Sequence, residues 1–254
     1  MVSSTAILKS PLLATDRRDS TRARPPATGR IDPCAAAWSS VRHMPKVFSL
    51  KAAQPVARGG RRLVFAHPDD PRLIIKVYRP DFLQREWGNP SWRQKRRRYR
   101  HLFPLFQEVR EHIAICAAEG RPPKHMQNLV GFAETDYGLG LVYEAVFGPD
   151  GKFAPTLQKL IMEGRYTPEI AGAFREFRDW LIEAPIAVLD LRPANFVCAW
   201  DEEGKPYFVL IDGVGEKTII PIKGFVRWLN RGSKRRHLAM LDRRLQRLGV
   251  EMPR

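Results

Sequence analysis

The sequence predicts an α+β chain in which a strand-rich half precedes a helix-rich half. Three observations predict it. Short runs of β-branched and aromatic residues, separated by Gly, Pro and Asp turns, fill much of 47–78 and 129–146. Apolar residues recur at helical spacing from Ile170 to Leu181, and a basic stretch at 224–248 carries its leucines on one helical face. Hydrophobic residues make up 44% and charged ones 28% of the 254 positions, which suits a substantial packed core.

The first strand-like runs are 47–50, then 63–65 after a Gly59-Gly60 turn, then 73–78 after His67-Pro68-Asp69-Asp70-Pro71; together they read as an antiparallel meander. A helix over 103–118 is expected to bury Leu105, Val109, Ile113 and Cys116. Two further strands, 129–132 and 139–146, flank a turn at 134–138. A short helix starts at Thr156. A longer one takes Thr167 as its N-cap and Pro168 as its first helical residue, and its stripe is Ile170, Phe174, Phe177 and Leu181. Residues 196–200 and 207–211 make a hairpin, and the leucines of 224–248 are expected to dock on the domain. Residues 1–44 carry neither period and are expected to be a disordered basic segment, with a transit-like leader or an unused upstream start as alternatives.

The formal charge of +16, from 43 basic against 27 acidic residues, favours an anionic partner: nucleic acid, an anionic membrane surface or a phosphate-bearing small molecule. The run from Arg93 to Arg100 reads as a solvated basic face or a docking site for an anionic acceptor. Nucleic acid is disfavoured, because no stacking-aromatic module accompanies it. Cys34, Cys116 and Cys198 are widely spaced without a CxxC pair, which excludes a zinc ribbon and a disulfide framework and fits a reducing, cytoplasmic compartment. No apolar run approaches the roughly 20 residues of a spanning helix, so any membrane contact is expected to be peripheral, at the inner membrane surface.

The most informative string is Val188-Leu189-Asp190-Leu191-Arg192-Pro193-Ala194-Asn195-Phe196-Val197. It resembles the protein-kinase catalytic loop, in which an Asp takes the proton of the attacking hydroxyl and an Asn five residues later holds a metal ion. Asp190 and Asn195 stand at those places. Arg192 occupies the position of a basic residue that steadies the transferring phosphoryl group, and Val188 replaces the usual His. Val209-Leu210-Ile211-Asp212-Gly213 matches the strand that delivers a second metal-binding carboxylate, Asp212. Leu73-Ile74-Ile75-Lys76-Val77 resembles the strand whose Lys contacts phosphates. A Lys there needs a carboxylate partner when buried, for which Glu108 is the candidate and Glu111 the reserve. Gly59 and Gly60 are candidates for the phosphate-cradling turn, and Tyr143 and Glu144 for the strand-to-hinge segment that meets adenine.

A closer resemblance lies in His67-Pro68-Asp69-Asp70 with Ile75-Lys76-Val77, in residues Glu134 to Glu144, and in Asp150-Gly151 followed by Thr156-Leu157. These segments, within roughly 57–221, resemble the PhoP regulatory network protein family, also called YrbL. The resemblance implies a bacterial protein with a compact, two-lobed protein-kinase-like fold. Residues 45–147 would form an N-terminal lobe of antiparallel sheet plus helix, and 148–254 a reduced helical lobe with a β-hairpin and the basic C-terminal helix. It also implies a cleft for ATP and Mg²⁺, with Asn195 and Asp212 as metal ligands. Only 42 residues follow Asp212 and no Ala-Pro-Glu string is present, so the acceptor is expected to be an anionic or hydroxyl compound rather than a protein. Three functions remain open: a phosphotransferase, a regulatory pseudokinase that binds nucleotide without turnover, and a basic nucleic-acid binder.

Overall fold

The computed structural model describes residues 46–89, 102–120, 123–215 and 226–250. The first part is a six-stranded sheet made of β1 (Val47–Phe48), β2 (Ala57–Arg58), β3 (Arg62–Ala66), β4 (Leu73–Tyr78), β5 (Leu129–Thr135) and β6 (Gly138–Glu144). Helices α1 (Pro80–Trp87) and α2 (Phe103–Glu119) lie between β4 and β5 in sequence. The strand order is β1-β5-β6-β4-β3-β2, with every pair antiparallel except β1 and β5. Residues 47–50 therefore do not open an antiparallel meander. They lie at the opposite edge, because Asp136 in the β5–β6 turn accepts hydrogen bonds from the Leu50 and Lys51 amides at 2.9 and 3.0 Å. The unforeseen β2 takes the outer place beside β3.

Alternation along β4 sorts the sheet's two faces. Ile75 and Val77 pack with Leu50, Phe65, Ala133 and Val142, whereas Ile74 and Tyr78 face α2 with Leu105, Leu141 and Tyr143. Lys76 shares the second face. Helix α2 departs most from its sequence pattern: Ile113 is 61% exposed, and Gln107, Glu108, Glu111 and His112 are buried in its stead. Its inner side meets polar groups of the cleft, which an apolar stripe would leave unpaired.

The second part holds α3 (Leu157–Met162), α4 (Pro168–Glu183), the hairpin of β7 (Phe196–Trp200) and β8 (Pro206–Leu210), and α5 (Arg227–Arg247). The Thr167 hydroxyl caps α4 by accepting from the Ile170 amide, as the sequence predicts. The core is aromatic. Phe174, Phe177, Phe196 and Phe208 are fully buried, with Phe174–Phe208 and Phe177–Phe196 ring centroids 4.9 and 5.3 Å apart in edge-to-face contact. Burial of each ring contributes about 1.5–3 kcal/mol. On this base stands the loop that leads into β7.

Helix α5 buries Leu238, Leu241 and Leu245 against that core, while Leu248 beyond its end is 38% exposed. Polar contacts fasten it to α4 and the residues that follow. Arg178 pairs with Asp242 through two bonds of 2.6 and 3.0 Å, Arg231 pairs with Glu183, and the Asn230 amide donates to the Ile186 carbonyl at 3.0 Å. The Lys234 ammonium, fully buried, donates to the Ala184 and Ile182 carbonyls at the end of α4. The strand order, the helix packed on the β4 face and the hairpin within a helical part make this the α+β fold, strand-rich part first, expected from the sequence. Residues 1–44 and the basic run Arg93 to Arg100 lie outside the described residues. Among the described residues, no helix is long and apolar enough to cross a membrane.

Candidate functional site

Strand β4 carries Lys76 into the interior, where only 5% of the residue is exposed. Its ammonium donates to Gln127 Oε1 at 2.7 Å and to the Ile211 carbonyl at 2.6 Å, and lies 4.2 Å from the centre of the Tyr143 ring. Burial lowers its pKa to about 8, with Glu108 and Asp212 pulling upward and Arg62 downward. Gln127 serves several groups at once. Its Nε2 donates to the Glu144 carbonyl at 2.7 Å, and its backbone N–H reaches the Leu210 carbonyl at 3.0 Å.

Neither Glu108 nor Glu111 bonds Lys76. Glu108 pairs with the Arg62 guanidinium and accepts from the Tyr143 hydroxyl, while Glu111 accepts from the Ala187 amide at 2.7 Å and from Arg110. The physical reason is the register of β3. Arg62 and Val64 project to the same face as Lys76, with Val64 opposite Lys76 and Arg62 opposite Tyr78, so the longer guanidinium reaches the carboxylate. Burial alone would lower the Arg62 pKa, but Glu108 and Asp212 hold it charged, well above its ordinary value. Its Nη1 is buried and has no hydrogen-bond partner among the described residues.

The loop from Val188 to Asn195 is closed on the segment after β8 by backbone bonds. Leu189 and Asp190 donate to the Gly213 carbonyl at 2.8 and 3.3 Å, Ile211 donates to the Asn195 carbonyl at 2.9 Å, and Asn195 Nδ2 donates to the Asp190 carbonyl at 3.1 Å. Gly213 adopts φ +93°, and a Cβ there would lie 2.2 Å from the Asp190 carbonyl oxygen. Only glycine fits. Val188 is 1% exposed and bridges to Val214.

Asp212 Oδ1 accepts from the Gly213 amide at 2.7 Å. The surrounding protein walls work against its charge, yet Arg62, Lys76 and that amide outweigh them and hold its carboxyl below the ordinary value. The Asp190 carboxylate meets two arginines: Arg192 Nε at 2.5 Å from Oδ2 and Arg244 Nη1 of α5 at 3.1 Å from Oδ1. The same Arg244 nitrogen donates to the Leu191 carbonyl at 2.8 Å.

The other three expected contacts are placed in different surroundings. Gly59 and Gly60 form a short exposed hairpin turn, closed by the Gly59 amide on the Arg62 carbonyl at 2.9 Å and held from outside by Arg79. Tyr143 is 2% exposed and braces Glu108 and Lys76 from within; burial and Glu108 raise its hydroxyl pKa well above the ordinary value. In the hinge, the Glu144 amide donates to the Asn128 carbonyl at 3.0 Å, the Glu144 carbonyl accepts from Gln127, and the Ala145 amide donates to the Arg72 carbonyl at 2.7 Å. These groups are committed within the protein.

Asn195 Oδ1 and Asp212 Oδ2 accept no hydrogen bond from the described residues, and oxygen ligands of this kind suit Mg²⁺. No cluster of three His, Cys, Asp or Glu is found among the described residues, so a metal here would complete its shell with phosphate and water, as Mg²⁺ commonly does. Sequence reasoning missed Arg62, Gln127 and Arg244. The parity of Arg62 with Val64, across from Lys76, was the one available signal.

The family described as PhoP regulatory network protein YrbL matches residues 48–246. YrbL of Escherichia coli (strain K12) and YrbL of Shigella flexneri are each 28% identical over 182 residues, covering 70% of this chain and 79% of theirs. Among solved structures, Rad53 1–466 in complex with AMP-PNP aligns with a TM-score of 0.40 at 16% identity, over 63% of this chain and 37% of that one. With its matched segment running from β1 to the end of α5, the chain belongs to the PhoP regulatory network protein YrbL family.

Proposed function

We propose that the protein is a phosphotransferase that passes the γ-phosphoryl group of ATP to a non-protein hydroxyl. One observation carries this reading. Lys76 bonds the backbone next to Asp212, and the residue after Asp212 bonds Asp190, so a strand, a loop and a hairpin end bring their chemistry to one place. Lys76 would hold phosphate oxygens, and Asn195 and Asp212 would hold Mg²⁺, which offsets phosphate charge when bound. Asp190 orients the acceptor hydroxyl and takes its proton as that oxygen bonds to phosphorus and ADP leaves with the electrons of the broken P–O bond. Arg192 steadies the group in flight.

Asp212→Ala is expected to abolish Mg²⁺-dependent nucleotide binding, read by thermal stabilisation across nucleotides with and without Mg²⁺. Unchanged stabilisation would remove the site from consideration. A second reading, nucleotide binding without turnover, is favoured by the short glycine turn and the two arginines on Asp190. Radiolabelled ATP incubated with a small-molecule extract separates the two: label passes to an acceptor in the first and to none in the second.

A further inference from the structure

As placed, Asp190 has both carboxylate oxygens in contact with guanidinium groups. Each oxygen can accept a second bond, but an arginine seated against it takes space and a lone pair that an acceptor hydroxyl would use, so moving one arginine away clears an approach. Arg192 has a destination within the proposed transfer, the γ-phosphoryl group. Arg244 has none. It comes from α5, three residues after Leu241 and next to Leu245, both fully buried, so the helix presents it at a fixed place beside the loop. The Arg178–Asp242 pair two residues earlier strengthens that placement.

We propose that Arg244 binds the anion of the acceptor, and that the acceptor is a hydroxyl compound carrying a phosphate ester of its own. This rests on the phosphotransferase reading for the role of Asp190. The chemistry is partner exchange. Arg244 and Asp190 are 39% and 36% exposed at their side chains, so their contact is cheap to break, and a phosphate offers the guanidinium a two-pronged replacement. Arg244 Nη1 holds both Asp190 Oδ1 and the Leu191 carbonyl, so the guanidinium gives up both contacts as it turns to the phosphate. Asp190 Oδ1 then opens to the acceptor hydroxyl. Water and neutral alcohols carry no anion and leave Arg244 where it is, which makes the contact a filter against them.

The experiment measures equilibrium binding of glycerol 3-phosphate and of glycerol to the full chain, beside flotation on phosphatidylcholine vesicles with and without phosphatidylglycerol. The wild-type protein is expected to bind the phosphate probe in preference to glycerol, and Arg244→Gln to weaken that binding by about tenfold or more. Arg244→Lys, which keeps the charge but loses the fork, should fall between them and carries the test if the glutamine variant does not fold. Binding in the soluble arm identifies a free phosphate ester, and binding confined to phosphatidylglycerol vesicles identifies a lipid headgroup. Equal affinity of wild-type and both variants in both arms overturns the proposal, as does failure of both phosphate probes to bind. Thermal stabilisation by ATP and Mg²⁺, followed on the same samples, reports on the nucleotide reading separately: anion binding at Arg244 without it would support the subsite and sink the phosphotransferase.

Discussion

Arg62–Glu108 and Arg244–Asp190 are built from the same two chemical groups, yet they occupy opposite physical regimes. In the first, the side chains are 12% and 5% exposed and the carboxylate also receives the Tyr143 hydroxyl. In the second, each partner is more than a third exposed. Removing one member of a buried pair strands a charge in a low-dielectric interior, whereas a surface pair is held by little more than its geometry. The difference teaches that the lysine end of the site is a fixed frame, whereas the pair at the aspartate end is held weakly enough to exchange partners.

The sharpest way to break this comparison is Glu108→Gln. It strands the Arg62 guanidinium and is expected to lower unfolding stability by about 3–5 kcal/mol in urea denaturation. A change as small as that of a surface pair would abolish the distinction. Next in size, Asp190→Asn should reduce phosphoryl transfer by about 100-fold or more while nucleotide binding persists. A parallel loss of nucleotide affinity would show that the two ends do not act separately.

A pH titration comes third. Lys76 is charged below about pH 8, and phosphate binding needs the ammonium. Nucleotide affinity should therefore hold steady below that pH and fall as pH rises through it, by up to about tenfold per unit. Lys76→Met should bind weakly and without that slope, so a wild-type profile that stays flat to pH 9.5 would remove Lys76 from the phosphate site. The smallest effect is that of Arg244→Gln on stability, expected to be under about 1 kcal/mol because the pair is half-exposed.

The placement of Lys76, Asp190, Asn195 and Asp212 was legible in the sequence because each sits in a short string with a prescribed local form: a strand, a tight loop, a residue before glycine. The α4 stripe from Ile170 to Leu181 was legible because its burial follows one helical period. Helix α2 was not. Reading apolar residues as the inner face assigned Ile113 to the core, whereas the cleft selects the polar side with Glu108 and Glu111. Arg62 and Arg244 escaped because their partners are 46 and 54 residues away in sequence, distances that no local pattern spans. The parallel edge pairing of β1 was hidden for the same reason, since the Asp136 carboxylate that seats it lies 86 residues from Leu50.

The amide of Gln127 has one donating and one accepting end, and each already faces its complement: the ammonium on one side, the Glu144 carbonyl on the other. Turning it round would set like against like at both. A single side chain thus acts as a gauge block between the lysine strand, the end of β6 and the hairpin, and it would set the clearance for a nucleotide entering the proposed site.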